Sequence, residues 1–187
     1  MSNNDPSADD KWAAFLLHNG SQLKLYAQAG LIFGVLFLLY KYVLFDSAVF
    51  GRYLELCALL VAELVNTFYE PGTMVFRADG GLITRIQADN GAFIVVVKES
   101  SGVIIASVLA ACVLAWSNPP VYRIVGALFA MGWIFCLNIL RIAGLLATDI
   151  YFPLQLDLMT TWVMPLWLVV GAFIYFYIWM RCTERKK

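Results

Sequence analysis

Apolar residues run along this chain in long blocks, and short polar clusters separate one block from the next. Residues 25–45, 53–69, 103–116, 123–148 and 159–180 are such blocks. About 20 apolar residues in a helix cross a bilayer core roughly 30 Å thick, so the pattern predicts an all-α membrane protein with roughly five transmembrane helices. The second block is the weakest, for it carries Glu55 and Glu63, which stand about 80° apart around a helix. Neither glutamate is expected to face lipid: Glu55 belongs near the headgroups, and Glu63 faces a polar cavity or a neighbouring helix.

Between the second and third blocks the period changes. Pro71-Gly72 breaks the helix and Asp79-Gly80-Gly81 forms a turn, while 82–87 and 92–97 alternate as strands around Asp89-Asn90-Gly91. The expectation is a small β hairpin outside the bilayer, within about 72–99. Before the first block, residues 1–10 are acidic and expected to be disordered, and 11–24 form an interfacial amphipathic segment too short to span. His18 in that segment reads as a surface residue. The domain division is thus 1–24, a transmembrane domain 25–180, and a basic cytoplasmic tail 181–187.

Composition agrees with the pattern. The chain of 187 residues is 61% hydrophobic and 14% charged, with a mean hydropathy of +0.75, which excludes an ordinary soluble domain. Net charge is zero, so nothing suggests nucleic-acid binding. Cys57, Cys112, Cys136 and Cys182 show no metal or disulfide spacing, and no cofactor is called for. Placing the tail in the cytoplasm puts Arg123 and the Lys41/Arg52 connection there too, with the hairpin, Ser100, Asp149 and Asp157 opposite; the expected topology is N-out and C-in.

Polar residues around the third and fourth blocks carry the candidate chemistry. Lys98-Glu99-Ser100-Ser101-Gly102 opens the third block, and Asn138-Ile139-Leu140-Arg141 lies deep in the fourth. Arginine at the centre of a membrane helix costs roughly 2.5–3.5 kcal/mol on insertion scales, so Arg141 needs a compensating role. Antiparallel neighbours joined by a short loop bring the start of one near the end of the other, and a pocket with serine, asparagine and arginine results. A guanidinium there suits a carboxylate or an oxyanion.

At these residues the sequence resembles the exosortase and archaeosortase family, over roughly residues 82–180. These multi-spanning cysteine transpeptidases recognise a C-terminal sorting signal on a secreted protein and cleave it at the outer face of the membrane. The family pattern is a strand leading to Cys-Ser-Gly, then Asn-x-x-Arg, then a histidine opening a final helix. Val95-Val96-Val97-Lys98-Glu99-Ser100-Ser101-Gly102 matches the first element and Asn138-Ile139-Leu140-Arg141 the second. The resemblance implies a bacterial or archaeal cytoplasmic membrane, with Ser100 and Arg141 as the remnant of a catalytic site. Glu99, Ser101, Asn138, Asp157 and Thr161 would contact substrate or partner. Two departures matter: Ser100 stands at the cysteine position, and the stretch from Asp157 to Pro165 holds no histidine.

Three readings follow. The first is a catalytically silent subunit that binds membrane-protein partners, or the tail of a secreted protein, among membrane lipids. In the second, a peptidase uses Ser100 with Lys98 as base, since both point one way if the strand continues through them. The third is that the motif match is accidental and the residues are structural. Ser100 and Ser101 would cap the third helix, Asn138 would bond between helices, and Arg141 would pair with Glu63, Asp149 or Asp157; Gly126, Gly132 and Gly144 would be close-packing sites. An engineered replacement at Ser100 would not explain the missing histidine.

Overall fold

The computed structural model describes residues 8–69, 72–77, 84–98 and 101–184, without the side chains of 8–19, 21, 76, 77 and 184. Helix α1, Ala8–Leu39, ends in a π-helical turn, Tyr40–Leu44. Helix α2, Ala48–Asn66, follows after a short turn. Ser47 sets its start by accepting from the Phe50 amide at 3.2 Å while donating to the Leu44 carbonyl at 2.7 Å. At the other end Asn66 Oδ1 accepts from both the amide and the hydroxyl of Thr73, each at 2.8 Å, which ties α2 to the first strand.

Among the described residues the sheet is antiparallel with three strands, β1 (Thr73–Arg77), β2 (Thr84–Ala88) and β3 (Phe93–Val96), in that order. Thr73 pairs with Ala88, and Gln87 with Phe93. Thr84, Ile86 and Ala88 are buried while Arg85 and Gln87 are only half-buried, the alternation expected of a sheet covered on one face. Strand β1 adds to the two strands expected from sequence; the Pro71-Gly72 break concealed it.

Helix α3, Val103–Ala115, turns back through Asn118 and Pro119 into α4, Pro120–Tyr151, which has proline at its first position. A 3₁₀ turn, Pro153–Gln155, a short helix α5, Leu156–Leu158, and a π-helical turn, Met159–Val163, lead into α6, Met164–Glu184. Among the described residues three helical stretches are long and apolar enough to cross a membrane: Gln22–Leu44, Pro120–Tyr151 and Pro153–Thr183. Helix α3 is apolar but shorter.

Residues 53–69, read from sequence as a span, belong mostly to α2, which lies against all three strands and α4. Its buried face, with Leu54, Cys57, Ala58, Val61 and Val65, recurs every three or four positions; Glu63 is on the outer face. One core joins α2 and the sheet to the last third of α4 through Leu54, Val61, Ile86, Val96, Ile142 and Leu146. A second joins α3, α4 and α6 through Leu109, Ala130, Ile134, Leu137 and Leu168. Leu137 lies where a Cβ on Gly171 would stand, so α4 and α6 touch there because position 171 has no side chain. Gly126 and Gly144 are likewise close-packed, against Trp179 and Met164; Gly132 is not, since a Cβ added there would meet nothing within 4 Å.

Helix α4 therefore does two jobs along its length. Between Pro120 and Asn138 it rises about 27 Å and packs on α3 and α6. Beyond Asn138 it forms, with α2 and the sheet, a separate head about 20 Å tall.

Candidate functional site

The site lies where the head meets the helix bundle, at the segment from Lys98 to Gly102. Strand β3 ends at Val96, and the chain reverses into α3 through Gly102, whose φ of 73° lies in the left-handed region. A side chain there would also crowd Asn138: a Cβ would stand 3.2 Å from Asn138 Cγ.

The carbonyl of Ser101 accepts two hydrogen bonds, from the Tyr53 hydroxyl at 2.9 Å and from Asn138 Nδ2 at 3.1 Å. Ser101 is 3% exposed and Asn138 0%. One buried carbonyl thus fastens the junction to α2 and α4 together, using both lone pairs. Ser101 does not cap α3 with its hydroxyl, as the sequence suggested; Gly102 occupies the cap position without a side-chain bond. Asn138 Oδ1 is buried and has no hydrogen-bond partner among the described residues. Glu99 and Ser100 adjoin this point in sequence but lie outside the described residues.

Lys98 fastens the other end. Its ammonium meets Asp46 Oδ1 at 2.7 Å and stands 4.2 Å from the centre of the Phe45 ring. Its carbonyl accepts from the Tyr40 hydroxyl at 3.4 Å and from the Ser101 amide at 3.2 Å. Because β3 stops at Val96, the strand alternation on which the pairing of Lys98 with Ser100 relied does not extend to Lys98. The contact with Asp46 also brings the connection between α1 and α2 to the same end of the bundle as the sheet junction.

Arg141 is half-buried one turn beyond Asn138, on the head side. Asp149, one of its expected partners, accepts the Phe93 amide at 2.9 Å and so anchors the start of β3 to α4. Glu63 and Asp157 have exposed side chains, as does Thr161 on the turn Met159–Val163. Beside the junction a groove of about 330 Å³ runs between α3 and α4, bordered by Tyr53, Ser101, Gly102, Ser107, Gly132 and Phe135. Met131 and Gly132 on its rim are exposed. Among the described residues no cluster of histidine, cysteine, aspartate and glutamate could hold a metal.

Sequence reasoning missed Tyr40, Phe45, Asp46 and Tyr53. A tyrosine inside an amphipathic helix was the available signal for Tyr53, since a buried phenol needs a partner for its hydroxyl. Nothing local marks Asp46 as the partner of a residue more than fifty positions away. No family model, curated protein or solved structure matches this chain.

Proposed function

We propose that this protein is a catalytically silent membrane subunit resembling the exosortase and archaeosortase core, which holds a membrane partner or the C-terminal tail of a secreted protein at the Ser101–Asn138 junction. The observation that carries this reading is the engagement of Lys98. With its ammonium on Asp46 and over Phe45, it is committed to holding the fold and is a poor candidate to take a proton from Ser100. The junction offers a binding wall instead: a groove open between α3 and α4, bordered by Ser101 and Gly102.

The membrane boundary fits the level of Ser101 and Asn138. The rise from Pro120 to Asn138, about 27 Å, matches a bilayer core. On this placement α1, α4 and α6 cross, α3 covers about 18 Å of the same depth with residues 116–119 completing the passage, α2 stands with the sheet outside, and the two ends of the chain share one side. That arrangement replaces the N-out, C-in topology expected from charge alone. Counted along the sequence, seven lysines and arginines then fall on the side of the ends and six, among them Lys41, Arg52 and Lys98, on the side of the head, a slight excess that favours the cytoplasm for the ends and the opposite face of a bacterial or archaeal membrane for the head. Arg141 falls just outside the hydrocarbon, which removes most of the insertion cost.

Purification in gentle detergent from the native host, with mass spectrometry of the intact complex, tests the reading. Membrane partners at fixed stoichiometry are expected. Recovery together with secreted proteins cut near a shared C-terminal signal, and loss of that cutting in Ser100→Ala, would restore the peptidase.

A further inference from the structure

Helix α6 packs on its own chain along one face. Met164 meets Gly144 of α4, Leu168 joins the core of Ile134 and Leu137, and Gly171 meets Leu137. These contacts also fix its height. With Leu137 against Gly171, the level of Ser101 and Asn138 crosses α6 near position 170. Leu166, Trp162 and Leu158 then stand about 6, 12 and 18 Å beyond that level, and the last two clear a headgroup layer about 5–8 Å deep. All three are exposed, Trp162 by 71%. The stripe continues into the hydrocarbon as Val169 and Phe173, also exposed, and no charged residue lies between Asp157 and Arg181. Acyl chains cover its lower part but do not reach Trp162 and Leu158.

We propose that this stripe is the interface of a parallel homodimer, in which α6 of one copy packs along α6 of a second. Trp162, Leu166, Val169 and Phe173 follow one another at four, three and four positions, the spacing of a two-helix coiled-coil seam. Two copies in one membrane share an orientation, so a two-fold axis along the membrane normal sets each stripe against itself at equal height, with no charge to oppose it. A different partner whose helix is only as long as the bilayer ends at the headgroups and leaves Trp162 and Leu158 in water. The five residues expose roughly 600 Å² in each copy, so two copies bury about the 1,200 Å² at which stable interfaces begin. Lipid supplies little hydrophobic drive between helices, and the portion beyond the headgroups provides it. The inference rests on the membrane placement above and is independent of what the junction binds.

The test places single cysteines in the full-length protein, with the native cysteines replaced by serine or alanine, and oxidises membranes from the native host. A disulfide needs Cα atoms within about 7 Å, which a parallel seam provides between a residue and its own copy. Trp162→Cys and Leu166→Cys are expected to form the homodimer about fivefold more than Thr160→Cys, which is exposed at nearly the same height on another side of the turn. Trp162→Glu, at an exposed position, should weaken the dimer in gentle detergent about thirtyfold. Native mass spectrometry of the unmodified protein should show a dimer, a readout that depends on no variant folding. Monomers alone, cross-links to a different protein, or equal cross-linking at Thr160 and Trp162 would overturn the proposal. If only monomers are found, a membrane-impermeant maleimide added from the side of the head separates the two failures. A reactive Leu158→Cys overturns the dimer and leaves the membrane placement standing, whereas an unreactive one puts the stripe in lipid and overturns both.

Discussion

Ser101 has an ordinary side chain and an unusual carbonyl, and the difference decides which substitutions matter at the junction. Replacing Asn138 with leucine removes one of the two donors to that carbonyl. A fall in stability of about 1–2 kcal/mol is expected, read as a lower unfolding temperature in detergent. Tyr53→Phe removes the other donor while keeping the ring against Phe135 and should cost less, about 1 kcal/mol. Gly102→Ala meets both an unfavourable φ and the Asn138 side chain, at about 1–2 kcal/mol, whereas Gly132→Ala points into open space and should leave stability within ~0.5 kcal/mol. Thermal unfolding of the pair separates a glycine required by the backbone from one that keeps a groove open. Lys98→Met loses a pair whose aspartate is 84% exposed, so about 1 kcal/mol is the expected cost. Of the polar residues singled out in the sequence, Asn138 meets the Ser101 carbonyl and Lys98 meets Asp46. Asn138 was legible as a helix-bridging amide, whereas the partners of Lys98 come from a turn that no local pattern connects to it.

Long apolar blocks made α4, α6 and the second half of α1 plain, because a helix that must satisfy its backbone in lipid needs little else to declare itself; the stretch 11–24, expected as a separate interfacial segment, instead continues α1 unbroken from Ala8. Helix α2, read from sequence as a span, is not among the described helices long and apolar enough to cross, and its hydropathy has a physical reason. One of its faces is buried against the sheet and α4, and its outer face still carries Leu56, Leu59 and Leu60, so its average hydropathy resembles that of a weak transmembrane helix. Glu63 on that outer face was the contrary sign. The placement of α2 outside the membrane is directly checkable. A cysteine at Glu63 should react with a membrane-impermeant maleimide added from the side of the head, in a background with the native cysteines replaced by serine or alanine. Protection from that reagent would return α2 to the bilayer. Strand β1 was hidden by its setting: it follows directly on the Pro71-Gly72 break, and its anchor, Asn66, comes from the preceding helix.

At the scale of the whole molecule, a four-helix bundle carries a head built from α2, the sheet and the last third of α4, with the junction where the two meet. Reporter fusions at the two ends should both read cytoplasmic, since the connection after α1 shares its end of the bundle with Lys98. The central claim is that this junction binds without cutting. A photoreactive amino acid at Met131, on the rim of the groove beside Gly132, tests it most directly when introduced in the native host alongside Ser100→Ala and Lys98→Met. The captured partner is expected to have the same intact mass whether Ser100 and Lys98 are native or replaced. A captured protein that is shortened by the native chain and full-length with Ser100→Ala would contradict the account and make this an enzyme.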